Sequence, residues 1–182
     1  MTKARNNSTG TLTVGSTALP LGSTTTSVAG LTLTTSTFTS PIVNNSTDNY
    51  PRLTSPKEVT TISATAATGT INFDLLTQGV LYYTTAATGA FTLNVRGNSG
   101  TTLASLMNTF DSVTVVFMNT NTATAYFTAT VTIDGNAQTV KWQNGTAPSA
   151  GNINAMDIYT FSIFKTAATP TYTVIGSLTK FA

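Results

Sequence analysis

The chain has 182 residues, with no cysteine and no histidine, and only 8% of its residues are charged. This composition excludes disulfides and cysteine nucleophiles, and it removes the side chain that most often serves as a general base and metal ligand. Eight Lys and Arg against six Asp and Glu leave a net charge of +2, which is too small for a nucleic-acid footprint. No apolar run reaches the roughly 18–20 residues of a membrane-spanning helix, so we expect neither nucleic acid nor membrane as a partner.

Threonine dominates the composition, with 43 residues, close to a quarter of the chain. Its β-branched side chain is stiff at χ1 and favours strands over helices. We therefore predict an all-β protein that is not an enzyme. Residues 59–182 carry four charges of each sign and are neutral overall, which suits a subunit of a larger assembly.

Residues 1–57 are predicted to form an extended arm and linker rich in Thr, Ser and Gly. Their short alternating pieces are broken by Gly and Pro, and they contain too little apolar surface to fold alone. No apolar stretch follows Lys3 and Arg5, so a signal peptide is not expected. We expect the arm to bind partner proteins; the alternative is a flexible tail without a binding role. The candidate partner-binding side chains are Leu12, Val14, Leu31, Leu33 and Phe38.

Residues 58–182 are predicted to form an antiparallel β-sandwich or jelly roll. Apolar residues alternate with polar ones, or form short runs, in seven segments bounded by turn residues. One stretch near residues 103–110 has helical spacing instead, and Thr101 or Thr102 could cap it. Asp134-Gly135 is a strong hairpin-turn signal. The predicted strands cover residues 70–73, 80–83, 91–95, 113–117, 126–133, 158–164 and 172–178.

The six acidic residues form no recognisable catalytic motif, so a carboxylate pair for glycoside hydrolysis is not predicted. Asp111 and Asp157 precede strands, where a solvated carboxylate is ordinary. Asp134 and Asn136 could supply oxygen ligands to calcium, but calcium needs six to eight ligands and the turn interpretation is preferred. We predict no catalytic residue, no metal site and no cofactor.

For three aromatic residues the sequence allows either a place in the core or a place on the surface. Trp142, the single tryptophan, either stacks on a sugar or an interface partner, or fills the core of the sandwich; we favour the core and keep Trp142 as a possible surface contact. Tyr82 and Tyr83 are adjacent in a strand, so one should face the core and the other the surface.

Four segments stand out in the C-terminal two-thirds, at residues 72–85, 91–97, 140–148 and 157–161. The most specific is a Lys-Trp-x-x-Gly-x-Ala-Pro segment, which precedes an Asp-x-Tyr-Thr-Phe strand. Over about residues 70–182 the chain resembles virion structural proteins of tailed phages, and those of marine and cyanobacterial phages in particular. The resemblance implies a particle component with no catalytic residues, and it leaves the location in the particle open.

We therefore expect a virion protein that is assembled in the host cytoplasm and decorates or cements the capsid. Its partners would be the major capsid protein or other virion proteins, and copies of itself as a dimer or trimer. The arm would add strands to neighbouring sheet edges through main-chain hydrogen bonds. The alternative is a fibre or tail-tip module that binds host glycan or protein. An extracellular adhesin and a glycosidase are more remote hypotheses.

Overall fold

The computed structural model describes residues 57–182, together with the backbone of two short strands, β1 (Thr11–Val14) and β2 (Thr17–Pro20). The chain divides into two compact units, Met1–Thr54 and Ser55–Ala182. In the first unit, β1 and β2 form an antiparallel hairpin.

Residues 57–182 contain ten strands, arranged in a six-stranded sheet of order β10-β12-β11-β7-β5-β3 and a four-stranded sheet of order β4-β6-β8-β9. No helix in the described part of the chain has the length and apolar character needed to cross a membrane. The elements are β3 (Thr60–Ala66), β4 (Gly69–Asp74), β5 (Val80–Ala86), β6 (Phe91–Arg96), α1 (Leu103–Leu106), β7 (Ser112–Thr120), β8 (Val131–Ile133), β9 (Asn136–Gln138), β10 (Val140–Trp142), a 3₁₀ turn (Gln143–Gly145), β11 (Met156–Ala167) and β12 (Thr171–Phe181).

The all-β prediction is confirmed, but the prediction of antiparallel sheets is wrong because both sheets are mixed. From β3 to β8, consecutive strands alternate between the two sheets. Each strand therefore pairs with the strand two further along the chain, and β3, β5 and β7 are parallel, as are β4, β6 and β8. The strand in the opposite sheet is the crossover that a parallel pair requires. Only β8–β9, β7–β11 and β11–β12 are antiparallel in the described sheets of residues 57–182.

The corners of this winding repeat in the sequence. The pentapeptide Thr-Ala-Ala-Thr-Gly occurs at residues 65–69 and again at 85–89, twenty residues later. The second copy lies against the first: Thr88 N–H donates to Ala67 O at 3.1 Å, and Thr85 Oγ1 donates to Ala64 O at 2.6 Å. The central alanines Ala67 and Ala87 are both buried. The repeat therefore sets one full turn of the winding at about twenty residues.

The two sheets enclose one hydrophobic core, to which both contribute. Phe91 of the four-stranded sheet packs edge-on against Phe117 and Tyr159 of the six-stranded sheet, with ring centroids 5.5 and 6.2 Å apart. In β11 the face formed by Tyr159, Phe161 and Ile163 is fully buried. The alternation along β11 therefore separates a core face from an outward face.

Two local predictions are confirmed and one strand boundary is corrected. Thr102 caps α1, since its hydroxyl accepts from Ser105 N–H at 3.2 Å. Asp134 and Gly135 have φ of 50° and 81°, the left-handed pair that joins β8 to β9 in a tight hairpin. The strand predicted over residues 126–133 begins only at Val131. Before it, Thr128 turns the chain, because its hydroxyl bonds Thr130 O and Thr130 N–H.

Candidate functional site

The predicted arm residues fall mostly outside the described part of the chain. Leu12 and Val14 lie in β1, where their backbones pair with Leu19 and Thr17 of β2. Leu31, Leu33 and Phe38 lie outside the described residues. The assignment of these five side chains to partner binding stays a prediction.

Trp142 has a side chain that is neither fully exposed nor fully buried. It ends β10, which runs parallel to β12, and its indole is half-buried. The ring meets Phe161 edge-on, with centroids 5.6 Å apart and planes inclined at 70°. Trp142 pairs with Gly176, where a Cβ would stand 2.9 Å from Phe161 and 2.8 Å from Val140. The missing side chain at Gly176 is therefore what lets the β10 side chains pack against Phe161.

The other side of the indole borders a cleft of about 250 Å³, which we call the Trp142 cleft. One wall is the segment after β10, where Asn144 and Gly145 adopt left-handed φ of 60° and 72° and turn the chain. Asn is one of the few residues other than Gly that tolerates this conformation. Lys180 and Ser177 of β12 also line the cleft. The cleft offers an aromatic surface, an ammonium and hydroxyl groups, which suit a polar ligand but not acid–base chemistry.

Asp157 contradicts its sequence-based assignment as a solvated boundary carboxylate, because it is completely buried. Its Oδ2 accepts from Asn121 Nδ2 at 3.0 Å, and both oxygens accept from Asn152 N–H at 3.1 and 3.2 Å. Gly151 lies against it so closely that a Cβ would be 2.7 Å from Oδ2. Asp157 thus anchors the segment before β11. Asp111, in contrast, is exposed as predicted and accepts from Asn108 N–H at 2.7 Å.

Burial raises the pKa of Asp157 above its ordinary value, because desolvation penalises the charged carboxylate. The Asn152 N–H, the nearby Lys180 and the Asn121 amide oppose this shift. Lys180 Nζ itself donates to Gly151 O at 3.3 Å. Every donor around Asp157 thus belongs to the chain's own framework, and the arrangement is that of a structural anchor.

Asp134 has a structural role that the turn signal did not reveal. Its Oδ1 accepts from Leu103 N–H at 2.7 Å and its Oδ2 from Ala104 N–H at 3.1 Å, so the carboxylate binds the first amides of α1. Asn136 Nδ2 donates to Asp134 O rather than presenting an oxygen beside the carboxylate. Both residues are used by the turn and the helix, and no cluster of three or more acidic side chains suitable for a metal occurs among the described residues.

Lys165 is a buried charge that the sequence analysis missed. Its side chain lies on the inward face of β11, and Nζ donates to Ala104 O and Met107 O, both at 2.7 Å. It therefore satisfies carbonyl groups at the C-terminal end of α1, where a cation is favourable. The signal in the sequence was the position of Lys165 itself, since it continues the inward parity of Tyr159, Phe161 and Ile163.

Tyr82 and Tyr83 were expected to divide between surface and core. Both are half-buried, and Tyr83 packs edge-on against Phe117 with centroids 5.7 Å apart. Tyr82 lies on the opposite face of the six-stranded sheet, paired with Ile62 and Met118.

No family model, no curated protein and no solved structure matches this chain.

Proposed function

We propose that this protein is a non-enzymatic structural component of a phage particle that decorates or cements the capsid. It would bind the major capsid protein, or other virion proteins, through its N-terminal arm and its β-domain. Its place would be the virion, with assembly in the host cytoplasm. The resemblance of residues 70–182 to tailed-phage virion proteins motivates this proposal.

The observation that carries the proposal is an uncharged segment before β3, together with an unpaired edge of β3 itself. Residues 6–47 contain no charged side chain, and they precede a domain whose buried core lies within residues 67–174. In the described residues β3 pairs with β5 alone, so its other edge presents free main-chain groups. An uncharged arm that attaches by strand addition needs only main-chain hydrogen bonds and a few apolar side chains. The sequence of residues 1–57 includes such apolar side chains.

Binding to particles tests the role of the arm. A chain without residues 1–50 should fail to co-sediment with undecorated particles, while circular dichroism shows that its β-structure is retained. Leu33→Asp should weaken co-sedimentation because it buries an unpaired charge at the pairing surface. Thr34→Asp is the matched control, since in the added strand that the proposal requires, neighbouring residues would point to opposite faces. Undiminished binding of the truncated chain would place the attachment on the β-domain instead.

The second candidate function is a fibre or tail-tip module that binds host glycan or protein. The Trp142 cleft favours it, because an indole beside hydroxyl groups and the Lys180 ammonium suits a polar ligand. The copy number in purified particles separates the two functions. A decoration protein should approach the abundance of the major capsid protein, whereas a tail module should be far less abundant.

A further inference from the structure

The outward face of the six-stranded sheet is nearly free of charge. Cross-strand pairing places Ile62, Tyr82, Met118 and Ile158 in one row across four neighbouring strands. The next row contains Val116 paired with Thr160. The other outward strand residues are apolar or carry hydroxyl groups, and Lys141 on the edge strand β10 is the single charged one among them. We call this surface the uncharged face.

The outward face of the four-stranded sheet is built differently. Asn94 Nδ2 donates to Asn72 Oδ1 at 2.8 Å, and Thr132 Oγ1 donates to Asn94 Oδ1 at 2.8 Å. Asp74 and Arg96 form an ion pair at 2.6 Å on the same two strands. This face is therefore a polar surface whose groups satisfy one another, so the lack of charge on the other sheet is not a general property of the domain.

The uncharged face exposes apolar surface that nothing in residues 57–182 covers. Ile62 is 66% exposed and Ile175 is 46% exposed. The row of Ile62, Tyr82, Met118 and Ile158 carries the apolar surface from β3 to β11, and an exposed apolar patch marks an interaction site. We propose that the uncharged face binds the same face of a second copy of this chain, in a two-fold arrangement of sheet against sheet.

A second copy is the occupant that the chemistry of the face fits. Two such faces meet with Lys141, on the edge strand β10, as the single charged strand residue of each, and packed sheets lie about 10 Å apart. β10 has three residues and the other five strands have at least seven. With strands about 4.8 Å apart, these lengths give about 600 Å² per copy, so that two copies bury about 1,200 Å², above the ~1,000 Å² that a specific interface needs. A lipid surface would call for a cationic rim, and Lys141 is the single cation. A glycan would call for several amides and carboxylates; the outward strand residues carry none, and Gln143 is the amide that lies beside Thr160 and Ser162.

This inference deepens the proposed function and rests on it, since a protein that decorates a particle works in many copies. A dimer would present two arms to neighbouring capsid subunits, and each arm would raise the effective concentration of the other.

The first experiment compares two matched substitutions in the full chain. Thr160→Glu places a charge on the uncharged face, and Thr92→Glu places the same charge on the outward face of the four-stranded sheet; both threonines are half-buried. In sedimentation velocity we expect the unmodified chain and Thr92→Glu to be dimers. Thr160→Glu should raise the dimer Kd about 100-fold or more, because it buries an unpaired charge.

Two further variants keep the result interpretable if Thr160→Glu lowers stability. Ile62→Glu alters a largely exposed side chain, so it should weaken the dimer while leaving the thermal melt of the monomer unchanged. Because the chain has no cysteine, Thr160→Cys can be joined to its own copy by a bismaleimide with an arm of about 10 Å, the spacing of packed sheets. Thr92→Cys should give no such product.

A monomeric full chain at about 100 µM, far above a micromolar Kd, would overturn the proposal. Dimers that Thr160→Glu and Ile62→Glu leave intact would overturn it as well, and would place the interface elsewhere. If the full chain is monomeric but dimerises when residues 1–50 are removed, the arm is the occupant and the proposal is also wrong. Co-sedimentation with particles separates the two ideas: a monomeric Thr160→Glu that still binds particles leaves the proposed function standing.

Discussion

The wound region, β3 to β8, and the hairpin region, β10 to β12, each contribute three strands to the six-stranded sheet, by two different routes. In the first region the chain crosses to the other sheet after each strand and then returns, about twenty residues later from β3 to β5 and about 36 residues later from β5 to β7, which makes the neighbouring strands parallel. In the second region β11 and β12 are joined by a short hairpin and are antiparallel over eleven paired positions. The antiparallel pairing of β7 with β11 joins the two regions.

This difference teaches that local alternation fixes which side of a strand is buried but not the direction of its neighbour. Phe91, Leu93 and Val95 in the wound region follow the same inward alternation as Tyr159, Phe161 and Ile163 in the hairpin region. The direction depends on the connection instead. A three-residue connection returns the chain beside β11, whereas the Ala-rich corners send it across to the other sheet.

The largest expected effect tests whether the two regions melt as one unit. Phe117 lies in the wound region but contacts rings of both sheets, and it is fully buried. Phe117→Ala should lower the free energy of unfolding by about 3–5 kcal/mol, because it removes a buried ring and leaves a cavity. Urea unfolding should remain a single transition by circular dichroism and by Trp142 fluorescence. Two separated transitions would show that the regions unfold independently.

The next effect compares a close approach in each region. Gly176→Ala in β12 should cost about 1–3 kcal/mol by overpacking, because the added Cβ meets a Phe161 ring and a Val140 methyl that are held by the core. Gly89→Ala at the wound corner meets only the Thr68 hydroxyl, at 2.7 Å, which can rotate away. The melting temperature of Gly176→Ala should therefore be well below that of Gly89→Ala. The reverse order would mean that the corner is the more rigid region.

A pH-dependent effect concerns Asp157, at the start of the hairpin region. Burial raises its pKa in the folded chain, so the folded state binds the proton more tightly than the unfolded state does. Its contribution to stability therefore increases as the pH falls from 7 through the folded pKa. We expect the unfolding free energy of the unmodified chain, minus that of Asp157→Asn, to become more positive as the pH is lowered from 7 to 4.

Asp111→Asn, which alters an exposed carboxylate near β7, is the matched control for the loss of one negative charge. A difference between the unmodified chain and Asp157→Asn that stays constant with pH would contradict the assignment of the raised pKa to Asp157.

The smallest effect lies on the polar face of the wound region. Asp74 and Arg96 form a partly exposed ion pair, with 28% and 25% of their side chains accessible. Arg96→Gln should lower the unfolding free energy by less than about 1 kcal/mol, since solvent screens such pairs. The loss should shrink in high salt. A loss of several kcal/mol that persists in salt would mean that Arg96 has a further structural role.

The sequence was sufficient for the all-β class, the cap at Thr102 and the Asp134-Gly135 turn, because each depends on composition or on nearby residues. It was insufficient for the parallel pairing, because that depends on contacts between residues about 20 to 38 positions apart. The repeated pentapeptide at 65–69 and 85–89 was the one available signal for it. Asp157 was misassigned because its burial depends on Asn121 and Asn152, whose approach no local pattern reveals.

The stacked corners make the wound region extensible. A turn of about twenty residues that begins and ends in the same Thr-Ala-Ala-Thr-Gly corner presents the same edges as the turn before it. Duplication of one turn would lengthen both sheets by one strand spacing, about 4.8 Å, and leave the hairpin region unchanged. The width of both sheets would thus change in whole steps of one strand spacing, one step for each added turn.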